Sequence, residues 1–516
     1  MIVKKITFKE ENNTIDYFYR SPPTVGKKLM NHCKRQILLW LCCSLCIFTT
    51  AQGINPVQKD SSAAINILLN AIAQTVADTS LVLIADISVQ GNKKTKPFII
   101  EREIPFKQGD YIPRNELDQK LALARQQVMN TALFTQVSIY VQSQQGPLVF
   151  INVDVKERWY LFPLPYFKLV DRNFNQWWVE QKASLNRVNY GIKFDKKNVS
   201  GRNDKLSVYL IGGYSRQVLL RYEQPFATRS LKNGYSVAFN FSRQRELNYG
   251  TDLSKQAFYK QEGFVMQNIR GEVAYLYRPA IKTRHTFKVA YVKNKVSDTI
   301  LFLNPYYYPV SASNNISYPE FSYSVQYFNA DYNAYPTRGF IGDATILRRG
   351  VNKQMNLTQL QYTANYTVPI ISKTYLNLQS AGTIKFPFNQ PFYNQQLFGY
   401  GGAYLRGLEY YVMDGVAGIM GRATVRREFF SMTLKSPPKS KKEVTIPFRF
   451  FIKAGGDMGY VYSKAPGNNL LTNKLLYTEC VGLDMVIPSY DVVFKFEYSF
   501  NQLGGNGFFF HVRSDF

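Results

Sequence analysis

Few residues in this chain are equipped to make or break bonds. Among its 516 residues there are three histidines, and only His285 and His511 lie beyond residue 32. Proton transfer near neutral pH, activation of a nucleophile and most metal centres draw on imidazole. Serines and aspartates abound, but they have almost no histidine to work with. The chain is therefore expected to be no enzyme, with no cofactor and no metal. Of the five cysteines, Cys33, Cys42, Cys43 and Cys46 fall in an N-terminal leader, so Cys480 is left alone and no intrachain disulfide can form once the leader is gone. What remains is ionic and conformational chemistry. Residues 398–411 gather glycines and tyrosines around Leu405, Arg406, Gly407 and Leu408. Glycine supplies backbone freedom and Arg406 one cation at the tip, in a stretch that reads equally as a flexible external loop or as a functional one.

The leader has the form of an export signal. Lys34-Arg35 precedes the apolar run from Ile37 to Phe48, and Thr49-Thr50-Ala51 offers small residues for cleavage. Residues 1–51 are expected to be an extension plus signal peptide, with translation starting at Met1 or, for a signal of ordinary length, at Met30. The leader cysteines follow Leu41, Cys42 and Leu45 rather than a small residue, which disfavours a lipid anchor. Residues 52–80 read as a linker with a short helical run over 63–77. The net charge of +27 suits anionic lipid headgroups or acidic clients, and export argues against nucleic acid. Nowhere is there a run of about 18 to 20 apolar residues, as a membrane-spanning helix requires.

Residues 81–158 make a small α+β unit. Strands are expected over 81–90, 136–142 and 148–157, with a helical stretch over 97–104. A longer helix is capped by Asn115, with Leu117, Leu121, Ala124 and Val128 at helical spacing. From 159 to 516 the pattern changes to period-two alternation, as in Leu360, Tyr362, Ala364, Tyr366 and Val368, or Phe494, Phe496, Tyr498 and Phe500. One apolar and one polar face per strand is the signature of a transmembrane antiparallel β-barrel. Counting back from the C-terminus gives about sixteen strands, an even number as bacterial barrels have. The first is expected over 164–175, where Asp171, Arg172 and Asn173 spoil the alternation, and the last over 506–516. If Phe516 ends in the periplasm, the long connections 247–260, 299–319, 388–415 and 465–475 all fall outside. The short ones then fall inside, together with the basic turn 435–442.

Ile87-Ser-Val-Gln-Gly-Asn92, the turn from Phe106 to Asp110 and Asn130-Thr-Ala-Leu-Phe-Thr-Gln-Val137 resemble a polypeptide-transport-associated (POTRA) domain. Asn198-Val-Ser-Gly-Arg-Asn-Asp204, Tyr222-Glu-Gln-Pro-Phe226, Tyr335-Pro-Thr-Arg-Gly-Phe340, Leu405-Arg-Gly-Leu408 and Gly456-Asp-Met-Gly459 follow in the order seen in the BamA-like (bacterial surface antigen) superfamily. The resemblance implies that the Arg406 loop folds into the barrel lumen and that its arginine pairs with a wall carboxylate, Asp457 first or Asp484 second. The strand motif is Gly456, Asp457 and Gly459, and Leu408 stands where that superfamily has an aromatic residue. Phe508, Phe510, Val512 and Phe516 on one face of the last strand resemble an outer-membrane sorting signal. The implied function is insertion of other outer-membrane proteins through the POTRA domain and a weak seam between first and last strands. A secretion translocator for one dedicated partner and a passive porin or surface-binding barrel are the alternatives. Implied partners are unfolded outer-membrane protein clients, outer-membrane lipid, and periplasmic chaperones or accessory lipoproteins, with the N-terminal domain in the periplasm.

Overall fold

A computed structural model describes residues 80–169, 182, 184–309, 312–352, 354–401, 403–435 and 445–514. The leader, nearly all of the linker, the turn after Lys435, Asp171 to Asn173 and Phe516 lie outside them. Among the described residues no helix is long and apolar enough to cross a membrane.

The N-terminal unit runs β1 (Leu81–Gln90), α1 (Pro97–Glu101), β2 (Tyr111–Pro113), α2 (Arg114–Met129), β3 (Phe134–Gln145) and β4 (Leu148–Glu157). Its sheet has the order β2-β1-β4-β3, with β1 and β4 parallel and the other pairs antiparallel. Leu117, Leu121, Ala124 and Val128 are the buried face of α2, as their spacing requires. The cap differs from expectation. Pro113 occupies it and Asn115 sits inside the first turn, because β2, a strand too short to show alternation, runs directly into the helix. Gly91 turns β1 away with φ +81°, and a Cβ there would meet the Val155 carbonyl oxygen at 2.0 Å, so no other residue fits.

Sixteen strands form the second sheet. In chain order the first are β5 (Leu161–Leu169), β6 (Val188–Lys197), β7 (Lys205–Gly213), β8 (Arg216–Gln224) and β9 (Asn233–Gln244). After a hairpin, β10 (Glu246–Asp252) and β11 (Lys255–Lys260), come β12 (Met266–Tyr277), β13 (Thr283–Val296), β14 (Asn315–Ala330), β15 (Gly339–Asn352), β16 (Met355–Ile371) and β17 (Thr374–Phe386). A short outlying pair, β18 (Gln396–Phe398) and β19 (Met413–Asp414), precedes β20 (Ala417–Lys435), β21 (Thr445–Tyr462), β22 (Leu475–Ile487), β23 (Val492–Asn501) and β24 (Asn506–Ser514). Each strand of the large sheet pairs antiparallel with its chain neighbours in that sheet, β10, β11, β18 and β19 standing outside it. The first barrel strand begins earlier than expected and is described to Leu169. It pairs with β6 over its whole length, so its prolines Pro163 and Pro165 are tolerated on an outermost strand.

Alternation sorts the faces. On β13, Phe287, Val289 and Tyr291 point outward and are about half exposed, while Ala290, Val292 and Asn294 are buried inside. The inner wall is polar, with Arg270 and Arg349 both pairing Glu320. Between β24 and β5, the two ends of the sheet, no ladder forms among the described residues.

Candidate functional site

The Arg406 loop, between β17 and β20, folds into the lumen from the end that carries the long connections. Gly407 takes φ +83° and packs against the β23 end, where a Cβ would lie 3.2 Å from both the Phe500 carbonyl oxygen and the Ser499 Cβ. Its carbonyl accepts a bond from Asn501 Nδ2 at 2.7 Å. This turn presents Arg406, 2% exposed, to Asp457, 1% exposed. The backbone N–H of Arg406 donates to Asp457 Oδ2 at 2.9 Å, and its Nε and Nη2 donate to Oδ1 at 3.0 and 2.5 Å. Burial disfavours the charged guanidinium, but the Asp457 carboxylate outweighs it and holds the Arg406 pKa above its ordinary value. Leu405 and Leu408 on either side are fully buried with Phe398, Met413, Met420, Val461, Leu471 and Leu476. Leu408 thus fills an apolar hole without a ring. Gly459 leaves room for the Leu405 methyls, the nearer of which would stand 3.3 Å from a Cβ. Gly456 is on the outward face of β21, where a Cβ would come 3.1 Å from the Thr478 carbonyl oxygen across the pair.

Asp484 is not the partner of Arg406. One of its oxygens receives Lys453 Nζ at 2.5 Å and the other the Tyr335 hydroxyl at 2.8 Å. Both expected carboxylates face inward, but Asp484 lies nearer the opposite mouth, where it meets the turn between β14 and β15 that carries Tyr335. Burial, and then the Asp484 carboxylate, hold the Tyr335 phenol well above its ordinary pKa, keeping it a donor.

Several members of this network were not foreseen. Arg422 on β20, directly opposite Asp457, donates to both of its oxygens at 3.1 and 3.0 Å and reaches the Tyr404 carbonyl at 2.9 Å. Glu497 on β23 takes Lys453 Nζ at 2.7 Å and lies 3.8 Å from Arg406 Nη1. His511 on β24 has its Nε2 3.5 Å from both Glu409 of the loop and Glu497. Arg422, Lys453 and Glu497 fall on the inward positions of their strands, which alternation marks as the polar face but does not single out. On β24, Phe508, Phe510 and Val512 are on the outward face, and Phe508 and Phe510 stack on β23 Phe496 and Phe494.

At the other mouth the N-terminal unit closes over the short turns. Phe226, in the turn between β8 and β9, is 1% exposed and belongs to the core of the N-terminal unit. Arg102 stacks on its ring at 4.5 Å. Glu103 takes both guanidinium nitrogens of Arg278, Nη2 at 2.7 Å, and Arg158 donates to Asp491 at 2.9 Å. Burial, and then Arg278, push the Arg102 guanidinium down to about 10. The turn 198–204 is locked by Asp204, which accepts from the Ser200 N–H and the Tyr222 hydroxyl, both at 2.8 Å. Gly201 then accepts the Lys96 N–H at 3.0 Å, so the two opening barrel motifs serve this docking.

Residues 198–510 match a family model described as the Omp85 superfamily domain. Residues 82–158 match one described as POTRA, the surface antigen variable number repeat. No curated protein matches the chain in sequence. Among solved structures it is similar to BamA from Haemophilus ducreyi lacking POTRA domains 1–3, at 15% identity, with 90% of this chain and 94% of that one covered and a TM-score of 0.45. CdiB from Escherichia coli aligns at 10% identity over 94% of this chain and 96% of that one, with a TM-score of 0.49.

Proposed function

The chain belongs to the Omp85 superfamily of outer-membrane insertases and translocators, and from that premise we propose that it inserts other outer-membrane proteins without enzymatic chemistry. The domain boundaries proposed are a removed leader over 1–51, a linker over 52–80, the POTRA domain over 81–158 and the barrel over 159–516. The POTRA domain lies in the periplasm and receives unfolded clients, together with chaperones or accessory lipoproteins. Client strands add at the open edges of β24 and β5. The observation that carries this reading is that no ladder joins those two strands among the described residues. An unpaired strand edge is a template for another strand. Arg406, clamped to Asp457, is the latch that holds the loop against β20 to β23, and Glu409 extends its reach to His511 on the edge strand itself. Phe508, Phe510, Val512 and Phe516 act as the barrel's own sorting signal.

A translocator for one dedicated partner would pass its cargo through a lumen that here holds the loop at one mouth and the POTRA domain at the other, so the edge is preferred. Depleting the protein and quantifying many outer-membrane barrels beside individual secreted proteins tests this. Broad loss of barrels is expected. Loss of a single secreted protein, or a change in solute uptake alone, would overturn the reading.

A further inference from the structure

The outward face of β8, β9, β12 and β13 carries a row of cations at the end with the long connections. Arg216 stands directly opposite Arg243, Arg243 opposite Gln267, and Gln267 opposite Lys295. Like charges face to face on an antiparallel pair are destabilising unless something offsets them. Arg245 joins them, and the guanidinium carbons of Arg216, Arg243 and Arg245 all lie over one ring, Phe264, at 5.3, 5.6 and 5.6 Å from its centroid. The face of a ring attracts each cation but cannot neutralise three.

No carboxylate pairs with any of the three among the described residues. Arg243 donates to Gln267 at 3.2 Å, and the Nε of Arg245 is buried with no hydrogen-bond partner. The nearest acid in sequence, Glu246, is taken by Lys260 and by the Tyr214 hydroxyl. Lys293, one row below Lys295 on the same face, is exposed and makes no ion pair among the described residues. Beneath this row the same face turns apolar: Val218, Phe241 and Ile269, then Leu220, Phe239 and Tyr291. Cations therefore crown the apolar band at the depth where a lipid's headgroup begins.

We infer that Arg216, Arg243 and Arg245, stacked around Phe264, bind the phosphate of an outer-leaflet glycolipid whose acyl chains lie along the apolar rows below. Guanidinium forks match phosphate oxygens in geometry, and Lys293 and Lys295 add point charges to a second phosphate. The site rests on the reading that this band sits in a membrane with the long connections outside. It does not depend on what the barrel inserts.

The test uses the folded full chain in a nonionic detergent, titrated with bisphosphorylated lipid A, with the dephosphorylated lipid of identical acyl chains, and with inorganic phosphate, and read by native mass spectrometry. Binding of the bisphosphorylated lipid is expected, with the dephosphorylated form weaker by roughly 10-fold or more. Inorganic phosphate should not displace it. R216Q/R243Q should lose affinity by a similar factor of roughly 10, whereas the charge-matched K464Q/K474Q at exposed loop lysines should not. Phe264→Leu keeps every charge and should still weaken binding several-fold. It decides the matter if the double arginine variant loses the heat-modifiable migration of a folded barrel. Equal binding of the two lipids, displacement by phosphate, or unchanged binding by both site variants would overturn the site. The depletion experiment is unaffected by any of these results.

Discussion

Asp457 answers to two arginines and to the backbone N–H of the loop at once. Replacing it with alanine leaves Arg406 and Arg422 both uncompensated, and breaking a buried pair this way costs about 3 to 5 kcal/mol. Arg406→Ala should cost less, because Arg422 still holds the carboxylate, and the double variant should be little worse than Asp457→Ala alone. Thermal unfolding in detergent measures all three, and additive losses would mean that the two residues do not share one interaction. Gly459→Val gives an independent check, since a branched side chain there must push on Leu405 and lift the loop tip without touching a charge. The Arg406–Asp457 contact was implied by the family resemblance that the short motifs carry, with Asp484 as the second candidate, and not by spacing alone. Arg422 was not, because a pairing partner one strand over is fixed by register, which no local pattern encodes. Leu408 stands where the superfamily has an aromatic residue, and the structure fills its surroundings with an apolar cluster instead.

Among elements, the turns of the barrel do more than connect. The one between β8 and β9 contributes Phe226 to the N-terminal core, and those between β12 and β13 and between β22 and β23 contribute Arg278 and Asp491. Phe226→Ala should cost about 3 to 5 kcal/mol, and limited proteolysis should then cut the link around the exposed Trp159 faster than in wild type. An unchanged cleavage rate would mean that the ring only fills space. At the loop mouth, Leu253 and Ser254 at the tip of the β10–β11 hairpin bond to Asn468 and Asn469, and the Ser254 carbonyl accepts the Val412 N–H at 2.8 Å. The hairpin therefore ties two other long connections together. Strand positions were readable because alternation is strong over ten or more residues. The hairpin, the β2 strand and the helix cap were not, since each depends on two or three residues whose conformation is set by contacts elsewhere.

For the whole molecule, a loop in one mouth and a domain over the other leave little open path through the barrel. Reconstituted in a planar bilayer, the protein should conduct weakly, and removing residues 400–411 should raise single-channel conductance several-fold. A wild-type conductance like that of an open pore of similar strand number would contradict this. Sixteen strands were foreseeable from alternation and loop parity together, while the union of barrel and N-terminal domain was not, because nothing in a turn sequence announces that its phenylalanine belongs to another domain's core.

That shared phenylalanine also imposes an order of events. The POTRA segment precedes the barrel in the chain, yet its interior lacks Phe226 and the Leu231 contact until the β8–β9 turn reaches it. The core of the first domain is therefore complete only in a chain whose β8 and β9 are already joined beside it.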